Sequence, residues 1–152
     1  MRIINLDEAN INNLINLYMS YCSELRIRKD QKIIKDYFDR AIKHVENNTL
    51  DFKVLIEDDI EIGFVSAKSN FMYIGNNDGF ILDLYIKDDY RFYGYGKSLL
   101  EYIEKLSFNK GTTVMYVTTS ELNELFFRNC GYLPTGIYDN EVELEVFYKN
   151  LK

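Results

Sequence analysis

Apolar residues recur at helical spacing in the first third of the chain. The first stripe predicts a helix, and its positions are Ile11, Leu14, Ile15, Leu17, Tyr18 and Cys22. Asp7 precedes this stripe as a candidate N-cap, and the short apolar run Arg2–Leu6 suits an opening strand. A second amphipathic helix is predicted over Asp30–Glu46, which leaves Ser23–Lys29 as the loop between the two helices.

Further along, the pattern changes to short apolar runs that are typical of strands. The predicted strands are Phe52–Ile56, Ile62–Ala67, Gly79–Ile86, Val114–Thr118 and Val142–Tyr148. Asp58 and Asp59 are expected to form the turn between the first two strands. Two more helices are predicted, over Gly96–Asn109 and Glu121–Asn129, and Gly131 is expected to end the second of these.

The order of these elements indicates the fold class. Strands and helices mix without regular βαβ alternation, which favours an α/β fold of the α+β kind, with a mixed sheet and helices on both faces. No Pro/Gly/Ser-rich linker divides the sequence, and Pro134 is its one proline. We therefore expect a single domain over residues 1–152.

Composition narrows the classes of function. Hydrophobic residues make up 47% of the chain and charged residues 28%, which indicates a globular protein rather than a disordered one. The net charge of −6 argues against a partner bound through nucleic-acid phosphates, and suits either a cationic substrate or plain solubility. Cys22, Cys130 and His44 form no metal-binding motif. Because no signal peptide or membrane helix is visible at the N-terminus, a reducing cytoplasm is expected.

Residues Ile81–Leu100 carry the most informative pattern. They are expected to form a buried strand, a short polar turn, a glycine-spaced loop and the start of a helix. Gly94 and Gly96 let the backbone bend tightly and approach a ligand closely. The following helix start offers unpaired N–H groups, while Arg91 and Lys97 add positive charge. Together these features predict a cradle for a phosphate or pyrophosphate.

The glycine spacing separates this loop from other nucleotide motifs. A Walker A loop would place a glycine at position 91, which is Arg91. A dinucleotide-binding fingerprint would place a glycine at position 99, which is Leu99. The pattern that fits is Arg91-x-x-Gly94-x-Gly96.

Two segments resemble the GNAT N-acetyltransferase family. Tyr90–Leu100, preceded by Asp83–Asp89, is similar to its coenzyme A motif, in which Arg or Gln-x-x-Gly-x-Gly or Ala directly follows the fourth strand. Phe126–Tyr132 is similar to the family's short helix that ends in an aromatic pair and Gly-Phe. The resemblance implies a mixed, mostly antiparallel sheet of about six to seven strands with about four helices.

The same resemblance implies the reaction and its participants. Acetyl-CoA would be the cosubstrate, with no metal, and the acceptor would be an amine of a small molecule or peptide. The net charge and the absence of a long apolar stretch lead us to expect no nucleic-acid or membrane partner, and a homodimer is left open. The implied coenzyme A contacts are Leu84, Tyr85, Ile86, Arg91, Phe92, Tyr93, Gly94, Tyr95, Gly96, Lys97, Ser98, Asn123 and Phe127.

Asp83 is the first candidate for chemistry, because it interrupts the apolar run Phe80–Ile86. A carboxylate in a mostly buried strand costs several kcal/mol unless it is paired or functional. One interpretation is that Asp83 binds the acceptor ammonium or relays its proton. The other is that a neighbouring hydroxyl or an arginine satisfies it.

The proton for the departing thiolate has no obvious donor. The tyrosine that usually supplies it in this family falls at Phe127, which has no proton to give. Tyr132, Tyr116, Ser120 or solvent could take over that role, and Tyr132 is our candidate for catalysis. Alternatively, efficient turnover has been lost and the chain is a coenzyme A-binding module.

Two segments are implied as the acceptor site, Ser23–Asp30 and Gly136–Glu141. The first carries Arg26, Arg28 and Lys29, whereas the second carries Asp139 and Glu141. These charges favour acceptors of opposite sign, or they are ordinary features of solvated loops. The sequence therefore leaves the acceptor open.

Overall fold

The computed structural model of the protein describes residues 1–139 and 144–152. Its helices are α1 (Ile11–Glu24), α2 (Gln31–Glu46), α3 (Tyr95–Asn109) and α4 (Glu121–Asn129). Its strands are β1 (Arg2–Asn5), β2 (Asp51–Glu57), β3 (Ile60–Phe71), β4 (Asp78–Ile86), β5 (Val114–Thr119), β6 (Leu133–Asp139) and β7 (Leu144–Asn150). No helix in the described ranges is long and apolar enough to cross a membrane.

The strands form a seven-stranded sheet with the order β1-β2-β3-β4-β5-β7-β6. β4 and β5 run parallel, whereas β1 with β2, β5 with β7 and β6 with β7 are antiparallel. Pairing of β4 with β5 covers Asp78–Ile81 and Val114–Val117, and β4 then continues to Ile86. The mixed α/β fold predicted from the sequence is confirmed.

Most predicted elements are present, with one strand missed and one too short. Asp58 and Asp59 form the β2–β3 turn, both with positive φ (52° and 60°), as tight hairpin turns require. β6 was not predicted, because Pro134 and Gly136 are unfavourable in strands. They are tolerated because β6 lies at the edge of the sheet, where its pairing with β7 is irregular between Pro134 and Tyr138. β3 runs to Phe71, beyond its predicted end.

The chain forms two compact units, and β3 and β4 each contribute to both. The first unit comprises Met1–Ser66 and Asp83–Ile103. Its core joins the apolar faces of α1 and α2 to β2, β3 and β4, and includes Leu14, Phe38 and Phe64. Asn10 caps α1 by accepting from the Asn13 N–H at 3.1 Å, which fixes where this helix begins.

The second unit comprises Ala67–Leu82 and Glu104–Lys152. Its buried side chains include Met115 of β5, Phe127 of α4 and Phe147 of β7. At the start of β4, the buried Asp78 carboxylate accepts hydrogen bonds from three backbone N–H groups of the preceding loop, at Tyr73, Ile74 and Gly75. These hydrogen bonds satisfy the buried carboxylate and hold the loop in place.

Candidate active site

The glycine-spaced loop lies between β4 and α3 in the first unit. A short 3-10 turn, Asp88–Tyr90, ends β4, and the backbone is extended at Arg91. Phe92 and Gly94 then take positive φ values of 69° and 85°. Gly94 adopts this conformation without strain, whereas Phe92 is strained there and holds a fully exposed ring.

The start of α3 faces open space. The first helical hydrogen bond runs from the Ser98 N–H to the Gly94 carbonyl at 3.0 Å, so the N–H groups of residues 95–97 have no carbonyl within the helix to bind. A Cβ added at Gly94 would meet no described atom within 4 Å. Lys97 is exposed, and its Nζ lies 4.0 Å from Glu101 Oε1, which makes a weak surface ion pair. This loop therefore has the open backbone, the helix dipole and the positive charge that a pyrophosphate needs.

The Arg91 side chain already has hydrogen-bond partners within the protein, which the sequence did not predict. Its Nε donates to the Ile86 carbonyl at 2.8 Å, and its Nη2 donates to Glu24 Oε2 at 2.7 Å. The guanidinium also lies 5.3 Å from the centre of the Tyr85 ring and 3.6 Å from Asp88 Oδ1. Arg91 thus sits at the predicted loop, but its charge is already neutralised by two carboxylates.

The end of β4 is held closely by the neighbouring strand β3. The Lys87 N–H donates to the Ile62 carbonyl at 2.7 Å. A Cβ added at Gly63 would lie 2.7 Å from the Tyr85 carbonyl oxygen and 2.6 Å from Ile86 Cδ1, closer than real side chains allow. Gly63 therefore positions the backbone of Leu84–Ile86, which the resemblance assigns to pantetheine.

Asp83 lies in the same unit, half-buried on β4. The Tyr21 hydroxyl donates to Asp83 Oδ1 at 2.7 Å, and the Ser66 hydroxyl donates to Oδ2 at 3.2 Å. No salt bridge of the described residues includes Asp83. Neighbouring hydroxyls, not an arginine, therefore satisfy this carboxylate, and no described side chain supplies its counter-ion.

Aromatic rings surround this carboxylate. Tyr21 packs against Phe64 at 5.3 Å and Tyr85 at 5.2 Å between ring centres, and Tyr18 packs against Tyr37 at 5.1 Å. Burial, and then the charge of Asp83, raise the pKa of the Tyr18, Tyr21 and Tyr37 hydroxyls. These tyrosines therefore remain neutral hydrogen-bond donors at neutral pH.

The remaining predicted residues belong to the second unit. Asn123 is exposed on the first turn of α4. Phe127 is buried, with its ring 5.5 Å from that of Tyr132. Both remain predicted coenzyme A contacts.

Tyr132 is poorly suited to donate a proton to a thiolate. Its side chain is completely buried, and its hydroxyl donates to Glu104 Oε2 at 2.6 Å. Burial and the Glu104 charge raise the pKa of Tyr132 well above its ordinary value. Lys149 binds the other Glu104 oxygen at 2.9 Å, which completes a buried structural cluster.

The other two candidate donors differ in availability. Tyr116 is buried, and burial raises the pKa of its hydroxyl. Ser120 is half-buried at the N-cap of α4, yet its side chain makes no capping hydrogen bond. Of the three side chains that the sequence proposed, Ser120 has the hydroxyl that local structure restrains least.

The first segment implied for the acceptor, residues 23–30, is exposed throughout, and Arg26 there has a positive φ of 58°. In the second segment Asp139 ends β6, whereas Glu141 lies outside the described residues.

Sequence reasoning missed the residues that support Asp83 and Arg91. Tyr21 lies 62 positions from Asp83 and Ser66 lies 17 positions away. Glu24 lies 67 positions from Arg91. No local motif marks these pairs. Gly63, inside a predicted strand, was a visible signal of a close backbone approach.

Comparison with known proteins identifies the family. The sequence model of the acetyltransferase (GNAT) family matches residues 11–132. A sequence comparison with curated proteins found no match.

Solved structures of several acetyltransferases are similar to the fold. The PaiA N-acetyltransferase of Thermoplasma acidophilum in complex with coenzyme A has 19% identity and a TM-score of 0.72, over 99% of both chains. An aminoglycoside 6'-N-acetyltransferase complexed with coenzyme A has 17% identity and a TM-score of 0.77, over 99% of this chain and 97% of that one. The ribosomal-protein-alanine N-acetyltransferase of Brucella melitensis has 14% identity and a TM-score of 0.80, over 99% of this chain and 100% of that one.

These relatives differ in the acceptors that their names state, so the shared fold does not select an acceptor. The family match covers most of the chain and includes both the loop at Gly94 and the segment that ends at Tyr132. The chain therefore belongs to the GNAT acetyltransferase family.

Proposed function

We propose that this protein transfers the acetyl group of acetyl-CoA to an amine of a small molecule or peptide, by direct attack in a ternary complex. When bound, acetyl-CoA supplies the acetyl group as a thioester. A C–N bond forms as the C–S bond breaks. The acceptor ammonium loses two protons, one before attack and one as the amide forms, while the sulfur gains one and the other is released to solvent. The residues of this chain must therefore bind an anion, hold an ammonium and accept a proton from it.

The observation that carries the proposal is the open loop at the start of α3. Gly94 has a positive φ of 85°, and no described atom lies within 4 Å of its Cβ position, so the space beside this backbone is open to a ligand. The adjacent N–H groups of residues 95–97 and the exposed Lys97 supply donors and charge for the pyrophosphate. The backbone of Leu84–Ile86, held by Gly63, would bind the pantetheine arm.

Asp83 is proposed to hold the acceptor ammonium. Its carboxylate is half-buried and has no counter-ion among the described residues. The ammonium must lose a proton before its lone pair can attack, and Asp83 can take that proton directly or through water. Tyr21 and Ser66 orient the carboxylate for this role.

Protonation of the sulfur is assigned to solvent, because a serine hydroxyl such as that of Ser120 is less acidic than a thiol and can only relay a proton. Phe127 occupies the position where the family resemblance places a tyrosine, and the Tyr132 proton is committed to Glu104. We therefore do not retain Tyr132 as the general acid.

A second function is favoured by the same observation. A coenzyme A-binding module with little turnover would need the loop at Gly94 but no proton donor for the sulfur. Phe127 and the buried Tyr132 fit that alternative. Turnover, and not cofactor binding, distinguishes it from the enzyme.

Calorimetric titration with acetyl-CoA, with ATP as the control nucleotide, tests the cofactor assignment. Micromolar binding of acetyl-CoA and none of ATP is expected. Equal binding of both would indicate a general nucleotide-phosphate protein, and absence of binding would contradict the proposal.

Thiol release from acetyl-CoA in a panel of amines then tests turnover. The panel should include aliphatic diamines, amino acids, aminoglycosides and N-terminal peptides. Amine-dependent release supports the enzyme, whereas binding without release from any amine supports the module.

A further inference from the structure

The Arg91 side chain connects two parts of the first unit that are remote in sequence. Its Nη2 donates to Glu24 at 2.7 Å, while its Nε donates to the Ile86 carbonyl at 2.8 Å. The ring of Tyr85 lies beneath the guanidinium at 5.3 Å. The hydrogen bond from Arg91 lowers the pKa of Glu24, so the pair stays ionised at neutral pH.

The charges around Arg91 argue against direct binding of pyrophosphate. One guanidinium is balanced by the carboxylates of Glu24 and Asp88, at 2.7 and 3.6 Å. A pyrophosphate brought to this side chain would meet two negative groups before it gained a free cation. Lys97 and the N–H groups at the start of α3 are better placed to bind the anion. Arg91 is therefore available for another task.

Glu24 is the last residue of α1, and the exposed segment Leu25–Asp30 begins directly after it. The N–H groups of Leu25, Arg26 and Ile27 donate to carbonyls in the last turn of α1, at distances of 2.8 to 3.1 Å. A contact that holds Glu24 in place therefore also restrains the first residues of that segment. Arg91 stands at the opposite end of the contact, as the first residue of the loop that leads to Gly94.

We propose that the Glu24–Arg91 pair is a strut through which coenzyme A binding at the Arg91–Lys97 loop fixes the segment Leu25–Asp30 on the acceptor side. This inference rests on the proposed function, because it takes the loop as the cofactor site. Glu24 and Arg91 are positioning residues that touch neither reacting group. Contacts from Arg91 to Tyr85, from Tyr85 to Tyr21 and from Tyr21 to Asp83 extend the same connection to the proposed ammonium site.

Amide-resolved hydrogen exchange with and without saturating coenzyme A tests the strut, and it requires no knowledge of the acceptor. In the wild-type protein, coenzyme A should slow exchange at residues 92–97 and also at Leu25, Arg26 and Ile27. We expect a slowing of about fivefold or more at the latter amides, the lower end of typical coupling between sites. In Glu24→Gln, protection of residues 92–97 should persist, while slowing at Leu25–Ile27 should fall below about twofold.

Glu101→Gln is the matched control. It removes a carboxylate from the loose Lys97–Glu101 pair beside the same loop, and should leave both protection patterns as in the wild type. Equal slowing at Leu25–Ile27 in wild type and Glu24→Gln would overturn the strut while leaving the cofactor site intact. Absence of protection at residues 92–97 in the wild type would overturn the cofactor site, and the strut with it.

Discussion

Asp83 is a half-buried carboxylate that two hydroxyls satisfy and that no cation balances in the described part of the chain. If it binds the acceptor ammonium, Asp83→Asn keeps the shape but removes both the charge and the basic site. We expect kcat/KM for an amine found in the acceptor panel to fall about 10²-fold or more, the usual contribution of a general base. The dissociation constant of acetyl-CoA, measured by calorimetry, should stay within about twofold of wild type, since Asp83 is not assigned to the cofactor.

Asp59→Asn is the control for this change, because Asp59 is an exposed turn carboxylate whose positive φ of 60° suits asparagine equally well. It should behave as the wild type in both measurements. If Asp83→Asn retains full turnover, then the Tyr21 and Ser66 hydrogen bonds are the whole explanation for the carboxylate.

Gly94 offers a second test at the scale of one residue. Gly94→Ala and Gly94→Glu are both destabilised by the positive φ, at about 1–2 kcal/mol, and neither Cβ collides with protein because no described atom lies within 4 Å of that position. Only glutamate adds a negative charge where the pyrophosphate is proposed. Gly94→Glu should therefore weaken acetyl-CoA binding about 10²-fold relative to Gly94→Ala, as judged by calorimetry. Similar affinities for the two variants would contradict the loop assignment.

At the scale of elements, the sequence predicts a helix or a turn correctly where the signal comes from residues that are close together in the chain. The α1 stripe and the Asp58-Asp59 turn are local, and both are confirmed. β6 breaks the local rules with Pro134 and Gly136, and is a strand only because β7 pairs with it at the edge of the sheet. Tertiary pairing there overrides propensity.

The candidate site divides in the same way. Gly94 and Gly96 are two residues apart, at the end of the loop and in the first turn of α3, so the sequence alone predicts an anion site there. The partners of Asp83 and Arg91 come from α1 and β3, and only strand register and helix packing bring them into contact. For that reason the sequence, from which Arg91 is predicted as a pyrophosphate ligand, does not indicate its ion pair with Glu24.

Gly63 gives a prediction at the scale of paired strands. A methyl group there would lie 2.7 Å from the Tyr85 carbonyl oxygen, so Gly63→Ala must push the end of β4 away from β3. We expect the free energy of unfolding to fall by about 1–3 kcal/mol, as for other overpacked sites. Acetyl-CoA affinity should fall as well, because Leu84–Ile86 would move. Urea unfolding and calorimetry measure the two effects, and unchanged stability would show that the strands tolerate the methyl group.

At the scale of the whole molecule, the tyrosine content becomes informative only once the surroundings of each ring are known. The chain contains 13 tyrosines, and the sequence alone could not separate core residues from site residues. Burial raises the pKa of Tyr18, Tyr21, Tyr37 and Tyr85, and the first three also lie in the field of Asp83. Their side chains therefore remain protonated in the folded protein at a pH where the unfolded chain has begun to lose those protons.

This difference sets the direction of the alkaline stability profile. A group whose folded pKa is raised contributes stability that is fully present below the unfolded pKa, near 10 for tyrosine, and lost as the pH rises through the folded pKa. The unfolded state binds fewer protons in that range, so the free energy of unfolding should decline above about pH 10, by up to about 1.4 kcal/mol per pH unit for each such tyrosine. Urea unfolding at stepped alkaline pH measures the decline. Tyr37→Phe should make the slope shallower, because it removes a hydroxyl whose pKa is raised by burial and by the charge of Asp83. If Tyr37→Phe gives the same slope as the wild type, the pKa of the Tyr37 hydroxyl is not raised in the folded protein, and this hydroxyl does not lie buried beside Asp83.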